Sequence, residues 1–325
     1  MSSLPVFTAT TTAEEAAAAL AAQIRGKNVL VTGTSINGIG FETARAIAQH
    51  ANLVIITGYN QERLKLSEDA IKKENPKANI YRLTINLSSL ASVRKAAAEV
   101  NALHEPLHVL INNAATAFKD FALTEDGIEQ QYATNHVGPF LFTKLLIPKL
   151  LASTSDSWTP RVVFVSSVAH GYGTGVDLEV FTAPEKGKHP ESGHAAYRET
   201  KAANVLTAGE LARRAKGKIN CYSLNPGLIF TNAFGSDAAV AIFQQAGILD
   251  QEGAPVPSLD WKTIPQGAST TVVAAFDPRL NDKSGSYLDD CAIADKDVAA
   301  HAKDPAIAAK LWELTEEVIS EEFIL

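Results

Sequence analysis

Four side chains are spaced so that they could move a proton. "YRETK" (197–201) sets Tyr197 and Lys201 four residues apart, which puts a phenol and an ammonium on one face of a helix. A free phenol titrates near ~10, too high for a base at neutral pH. A neighbouring ammonium favours the phenolate and lowers that value. Ser167 closes the apolar run "RVVFVSS", and Asn135 sits inside a long helical stretch at "TNHVG". Taken singly, each has a plainer reading: surface neighbours, a strand-end serine capping the next element, an asparagine facing solvent. The set and its order carry more weight than any member.

A second group is rich in glycine. "VTGTSINGIG" (31–40) resembles a phosphate loop but is one residue longer than T-G-x-x-x-G-x-G, because Thr34 to Asn37 separate Gly33 from Gly38. Such a loop brings backbone N–H groups to a pyrophosphate, and the following helix adds partial positive charge. One more tight bend absorbs the extra residue. Asn37 suits that bend, because Asn tolerates positive φ. Thr34 and Ser35 offer hydroxyls at phosphate height. A chance glycine-rich turn remains the alternative until other residues decide.

The elements that must position these groups can be read from periodicity. "KNVLVT" (27–32), "LVIIT" (53–57), "NIYRLTIN" (79–86), "LHVLINN" (107–113), "RVVFVSS" (161–167) and "KINCYSLNP" (218–226) read as strands. Helical spacing marks 40–50, 61–74, 90–103, 126–151 and 195–215. This alternation predicts an α/β, doubly wound Rossmann fold: a parallel sheet of about seven strands with helices on both faces, ordered 3-2-1-4-5-6. Residues 1–25 read as an N-terminal helical arm. Residues 26–325 read as one domain, with a substrate loop over about 231–262 and a C-terminal helix over about 304–322. Asp304 and Pro305 open that helix as a cap and a first-turn proline.

Composition excludes several classes. With 325 residues, 46% hydrophobic and 20% charged, the chain can bury a large core. A formal net charge of -7 argues against a nucleic-acid partner. Cys221 and Cys291 lie too far apart for a zinc or disulfide pattern and read as buried thiols. His170, His189 and His194 lack metal spacing and read as ordinary loop histidines, so no metal is expected. No stretch reaches the ~20 apolar residues that span a bilayer. "FLFTKLLIPKLL" comes nearest but holds Lys144, Pro148 and Lys149. The N-terminus lacks a basic start before a long apolar run, so a cytoplasmic protein without a membrane span is expected.

As an ordered set, "TGTSINGIG", "NLSSLASV", "INNAA", "TNHVGPFLFTKLLIPKLL", "RVVFVSS", "YRETKAANV" and "NPGLIFT" resemble the short-chain dehydrogenase/reductase family. The likeness is greatest to its retinol-dehydrogenase-like branch, fungal members especially, and covers about residues 20–320. Fungal relatives often carry a loop of the type T-G-T-S-P-G-G-I-G, so the resemblance makes the long loop a cofactor loop with Ile36 and Asn37 in place of Pro and Gly. It implies an NAD(P)-dependent oxidoreductase that interconverts an alcohol and a ketone or aldehyde on a fairly hydrophobic small molecule. Tyr197 would be the acid/base, with Lys201 assisting it and bonding the nicotinamide ribose. Ser167 would bond the substrate oxygen, and Asn135 would hold a water that relays protons to Lys201. The implied cofactor contacts run along the chain. They begin with Gly33, Thr34, Ser35, Asn37, Gly38 and Ile39, and continue with Tyr59, Asn60, Arg63, Asn86, Leu87, Asn113 and Ala114. Tyr197 and Lys201 come next, then Pro226 and Gly227, which shape a turn, and Ile229 and Thr231, which would meet the carboxamide and phosphate.

Departures from the family pattern refine this. Ala115 stands where Gly is usual, and Asn86 replaces the Asp that contacts adenine. NAD users place Asp at the end of the second strand to hold the ribose 2′-OH. Gly58 and Tyr59 occupy those positions here, so no acid repels a 2′-phosphate. Tyr59 could stack on adenine while Asn60 and Arg63 receive the phosphate. NADP(H) is expected to be preferred, with NAD(H) possible. After Thr231, the side chains Phe234, Ile242, Phe243, Ile248 and Trp261 belong either to a helix packed on the core or to a lid over an apolar substrate. A catalytically silent NAD(P)-binding sensor is the competing function. Such proteins typically lose the Tyr or Lys, and this chain keeps both. A sugar-nucleotide epimerase would need a large substrate domain after the sixth strand, which this chain lacks. Family dimers often pair the helix after strand four with the "YRETK" helix, and the terminal arms could block that. Monomer and homodimer both stand.

Overall fold

Short apolar runs become central strands when helices cover both their faces. A computed structural model describes residues 4–117, 120–185, 193–235 and 237–325. Residues 186–192 of the segment between Ser167 and Tyr197 lie outside the described residues, and so therefore does His189, together with the side chain of His194. The strands are β1 (Asn28–Val31), β2 (Leu53–Gly58), β3 (Ile80–Thr84), β4 (Val109–Asn112), β5 (Arg161–Val165) and β6 (Asn220–Leu224). They are followed by β7 (Leu228–Ile229), β8 (Trp261–Lys262), β9 (Tyr287–Asp289) and β10 (Ala292–Ile293). The main sheet is ordered β10-β9-β6-β5-β4-β1-β2-β3. The expected order of the first six strands therefore holds. β9 adds a seventh parallel strand, and β10 closes the edge antiparallel to it. β7 and β8 form a separate parallel pair.

The helices are α1 (Ala13–Ala19), α2 (Ala21–Ile24), α3 (Ile39–Ile47), α4 (Gln61–Glu74), α5 (Leu90–Ala102) and α6 (Gln130–Tyr132). They continue with α7 (Gly138–Leu151), α8 (Leu178–Thr182), α9 (Gly193–Ala215), α10 (Asp237–Gln245), α11 (Ile264–Phe276) and α12 (Pro305–Ile319). Side chains of a strand alternate between faces, and this alternation builds two apolar layers. Leu30, Leu110, Val162 and Phe164 enter the layer of α5, α7, α9 and α12, with Phe140, Leu211 and Trp312. Val29, Val31, Val109, Ile111 and Val163 enter the layer of α1, α3 and α11, with Leu20, Ile47 and Phe276. The first helix of the N-terminal arm is fixed by a capping box between Thr12 and Glu15 and buries Ala13, Ala16 and Ala17. It lies against α11 and α3, where its Glu14 reaches Arg45 at 2.6 Å.

Two boundaries differ from expectation. The stretch 126–151 is not one helix: α6 begins at Gln130, passes through a π turn at Ala133–Val137, and only then continues as α7. The C-terminal helix stops at Ile319 rather than near 322, because Ser320 takes a left-handed conformation (φ 55) that caps it. Strand order reverses between β1 and β4, which opens a crevice at the carboxyl ends of the strands. The predicted site residues converge there.

Candidate active site

Tyr197 and Lys201 sit one turn apart on α9, as their spacing requires. The Lys201 ammonium stands 5.5 Å from the centroid of the Tyr197 ring and donates to the Val165 carbonyl at 2.9 Å. Ser167 leaves β5 in an extended conformation. Its hydroxyl bonds the Tyr197 phenol and also accepts the Ala169 N–H at 3.1 Å. Burial pushes the phenol up to about 12, opposed by the bond from Ser167. Burial also pushes the ammonium down to about 8. The lowered phenol expected from the Tyr–Lys spacing is therefore not what this arrangement produces. The ammonium lies over the ring face and spends a bond on Val165, and loss of water around the phenol dominates. Both groups are driven toward their neutral forms.

Asn135 lies in the π turn and is 1% exposed, so it does not face solvent. Its carbonyl oxygen accepts the Thr116 N–H at 2.8 Å. Its amide nitrogen donates to the Thr116 carbonyl at 2.8 Å and to Thr200 Oγ1 at 3.1 Å. The side chain thus ties the loop after β4 to α9. These partners are all protein groups. π turns recur at functional sites because they re-aim one residue within a helix. Here the re-aimed residue also fixes Thr200, which lies between Tyr197 and Lys201.

The glycine loop bends as its sequence requires. Gly33 (φ 72) and Asn37 (φ 62) both take positive φ, and the Gly38 N–H closes a tight turn on the Ser35 carbonyl at 3.1 Å. Gly38 caps α3 without a side-chain bond, so the first N–H groups of that helix are not capped by its own N-cap residue. Thr34 departs from expectation. It is fully buried, and its hydroxyl donates to the Thr57 carbonyl at 3.2 Å, so it anchors the loop to β2 instead of facing a phosphate. Asn113 braces the same loop, its amide donating to the carbonyls of Thr32 (2.8 Å) and Gly33 (3.2 Å). Two residues escape the motif reading at this point. The Thr32 hydroxyl accepts the N–H groups of Asn113 and Ala114, both at 2.9 Å. At Gly40 a Cβ would stand 2.3 Å from the Asn113 amide nitrogen, so only glycine fits. The final glycine of "GIG" is the signal that could have found it. The loop's added length is also used: Asn232 donates to the Ile36 carbonyl at 2.7 Å and straps the segment after β7 onto it.

At the far end of the crevice, Thr34, Ser35, Gly58, Tyr59, Asn60, Arg63 and Leu64 line a small cleft. Asn60 caps α4 by accepting the Arg63 N–H at 2.9 Å. Tyr59 is 71% exposed, and the Arg63 guanidinium has no ion-pair partner among the described residues. The Asn86 oxygen accepts from the N–H and hydroxyl of Ser88. Leu87 is buried, with its carbonyl against Gly138. Gly227 (φ 99) packs on the Lys262 side chain, and Pro226 precedes it in the turn after β6. The Ile229 side chain is buried against Gly267, so a ligand would meet its backbone, while Thr231 is half-buried beside it.

Three large apolar side chains are exposed on the segments that follow β5 and β6. Val168, Tyr172 and Phe230 are each about half exposed, although large apolar side chains are usually covered. Phe234 stacks on Phe243 with ring centroids 4.2 Å apart and meets Phe230 at 5.1 Å and Trp261 at 5.8 Å. Phe230 and the aromatic rings of the 231–262 segment pack on one another, outside both main apolar layers. His170 also departs from expectation: it is buried, and its ring bonds the Ser167 carbonyl, so it is not an ordinary loop histidine.

Comparison with known proteins agrees with this geometry. The family model described as short chain dehydrogenase matches residues 27–176. Short-chain dehydrogenase TIC 32 A, chloroplastic, of Brassica napus is 36% identical over 298 residues, covering 90% of this chain and 88% of the relative. Polyprenol dehydrogenase of Mus musculus is 35% identical over 291 residues, covering 88% and 82%. A crystal structure of a protein from Mycobacterium Paratuberculosis superposes with a TM-score of 0.66 at 27% identity, covering 94% of this chain and 98% of the other. A 3-oxoacyl (acyl-carrier-protein) reductase from Agrobacterium tumefaciens, solved with NADP bound, shares the fold with a TM-score of 0.60 at 22% identity, covering 83% and 95%. With its glycine loop, its Ser167–Tyr197–Lys201 cluster and relatives alike over nearly their whole length, the chain belongs to the short-chain dehydrogenase family of oxidoreductases.

Proposed function

We propose that the protein is an NADP(H)-dependent oxidoreductase that interconverts a hydrophobic alcohol and its ketone or aldehyde. The observation that carries this reading is the contact of Ser167, Tyr197 and Lys201 at the carboxyl end of β5. A bound nicotinamide supplies or accepts the hydride. Tyr197 then gives or takes the proton at its phenol oxygen, Ser167 donates to the substrate oxygen as charge develops there, and Lys201 stabilises the phenolate side of the exchange. Asn135 and Thr200 hold α9 so that these three meet.

The backbone N–H groups of Ser35, Asn37 and Ile39 suit a pyrophosphate, while those of Gly33, Thr34 and Gly38 hold the loop's own shape by bonding Thr57 and Ser35. Asn86, Asn113 and Ala114 flank the adenosine side, and Pro226, Gly227, Ile229 and Thr231 the nicotinamide side. At the small cleft, Ser35, Asn60 and Arg63, whose guanidinium has no ion-pair partner among the described residues, favour a 2′-phosphate, and Tyr59 offers a face for adenine. The NADP-bound reductase of the same fold supports this preference. The exposed apolar side chains of Val168, Tyr172 and Phe230 favour a hydrophobic substrate, in keeping with a relative named polyprenol dehydrogenase. The C-terminal helix lies on α9, where Trp312 meets Phe140 of α7 at 4.7 Å. That cover disfavours pairing through the two helices and supports a monomer.

The test is turnover of NADPH with a panel of apolar ketones and aldehydes, in the wild type and in Tyr197→Phe. Wild-type turnover reduced at least ~10²-fold in the variant, with NADPH still bound, supports the assignment. Near-normal turnover in Tyr197→Phe removes the proposed acid/base. Tight NADPH binding without turnover on any carbonyl would favour the silent sensor.

A further inference from the structure

His170 lies three residues after the serine of the site, in a short 3-10 turn over Val168–Gly171. It is 2% exposed. Its Nδ1 is 2.7 Å from the Ser167 carbonyl oxygen, and its own N–H reaches the same oxygen at 3.1 Å. A carbonyl can only accept, so Nδ1 carries the proton, and both lone pairs of the Ser167 carbonyl are filled. Nε2 is then a buried acceptor with no partner among the described residues. The ring packs on Tyr287 of β9 at 4.9 Å, and the His170 carbonyl accepts from His301 Nε2 at 2.8 Å. The turn is therefore clamped from both the sheet edge and the C-terminal segment.

A buried polar atom without a partner is costly, and a leucine or phenylalanine would fill this space without that cost. What only the histidine supplies is the Nδ1–H donor to Ser167. We infer that His170 is a positioning residue for Ser167: its imidazole holds the Ser167 carbonyl and so fixes the backbone from which the hydroxyl reaches the Tyr197 phenol. The inference rests on the proposed role of Ser167 in proton transfer. The Ser167 peptide cannot turn without breaking two bonds, while Asn225 holds the next N–H, that of Val168, at 3.1 Å. The hydroxyl is thereby aimed before substrate arrives, which is the pre-organisation that oxyanion-type stabilisation needs.

Three variants and one spectrum test this. His170→Leu removes the donor and is expected to lower kcat about tenfold or more, while NADPH affinity and melting temperature stay close to wild type. His170→Asn places an amide N–H at the same bond count from Cα and is expected to restore kcat to within about threefold of wild type. In a Ser167→Ala background, His170→Leu should cost nothing further, because the group it positions is gone. Wild-type kcat in His170→Leu, failure of His170→Asn to restore it, or an additive loss in the double variant would each overturn the inference. Independently of turnover, nitrogen-15 spectra of the His170 ring should show the neutral Nδ1–H tautomer at pH 7. The Nε2–H tautomer would sink the proposal even in an inactive protein. If Ser167→Ala alone left turnover intact, the proposed function would fail, and the tautomer would still decide the role of His170.

Discussion

Replacing Lys201 by methionine should silence the enzyme while leaving the fold as stable as before or more so. The ammonium is 2% exposed, and burial lowers its pKa from the usual 10.5 to about 8. One pKa unit is worth about 1.4 kcal/mol, so keeping this group charged at pH 7 costs the folded protein about 3 kcal/mol. Methionine fills a similar volume without that cost. Against this, the Val165 carbonyl loses the donor that now sits 2.9 Å away, a penalty of about 1–3 kcal/mol. The expected net change at pH 7 lies between zero and a gain of about 2 kcal/mol. The pH dependence is the sharper observable. Between pH 8 and 10.5 the unfolded chain holds the Lys201 proton while the folded one has released it. Wild-type stability therefore gains from this group as pH rises through that window, and the variant lacks the gain. The stability difference, variant minus wild type, should fall by about 2.5 kcal/mol from pH 7 to pH 10. Urea unfolding of both proteins at the two pH values measures it, and every other titrating group cancels in the comparison. Parallel pH dependence would refute the buried ammonium. Wild-type turnover in Lys201→Met would refute its part in catalysis.

Two further outcomes concern the cofactor crevice. Arg63→Ala should weaken NADPH binding about tenfold, roughly the worth of one charge-assisted contact, and leave NADH binding unchanged. Fluorescence titration with both cofactors reads this, and tighter NADH binding in the wild type would contradict the assignment of the small cleft. Gly40→Ala drives a methyl to 2.3 Å from the Asn113 amide and should lower stability by about 1–3 kcal/mol. Because Asn113 braces the glycine loop, NADPH affinity should fall with it, and a variant with wild-type melting temperature and affinity would show that the brace does not matter.

The chain's local patterns already contained the architecture. The short apolar runs at 28–31 and 109–112 and the helical spacing in 61–74 and 90–102 hold whatever surrounds them, because side-chain direction is set by backbone geometry alone. The same holds for the positive φ of Asn37, a preference carried by one residue and its neighbours, and for the common face of Tyr197 and Lys201. The break at 133–137 was not legible, because a π turn keeps the helical spacing around it and is set by what Asn135 must reach.

The state and aim of each group come from packing between distant elements. Spacing placed Lys201 beside Tyr197, but burial sets the direction in which each of them titrates. Thr34 stood in a motif that suggested phosphate contact, yet its hydroxyl was claimed by Thr57, 23 residues away in the chain. His170 looked like one more loop histidine until β9 and the C-terminal segment closed over it. A repeat in the sequence says which side chains share a face. Ionisation and hydrogen-bond partners depend on everything that packs against that face, and those atoms come from elements far apart along the chain.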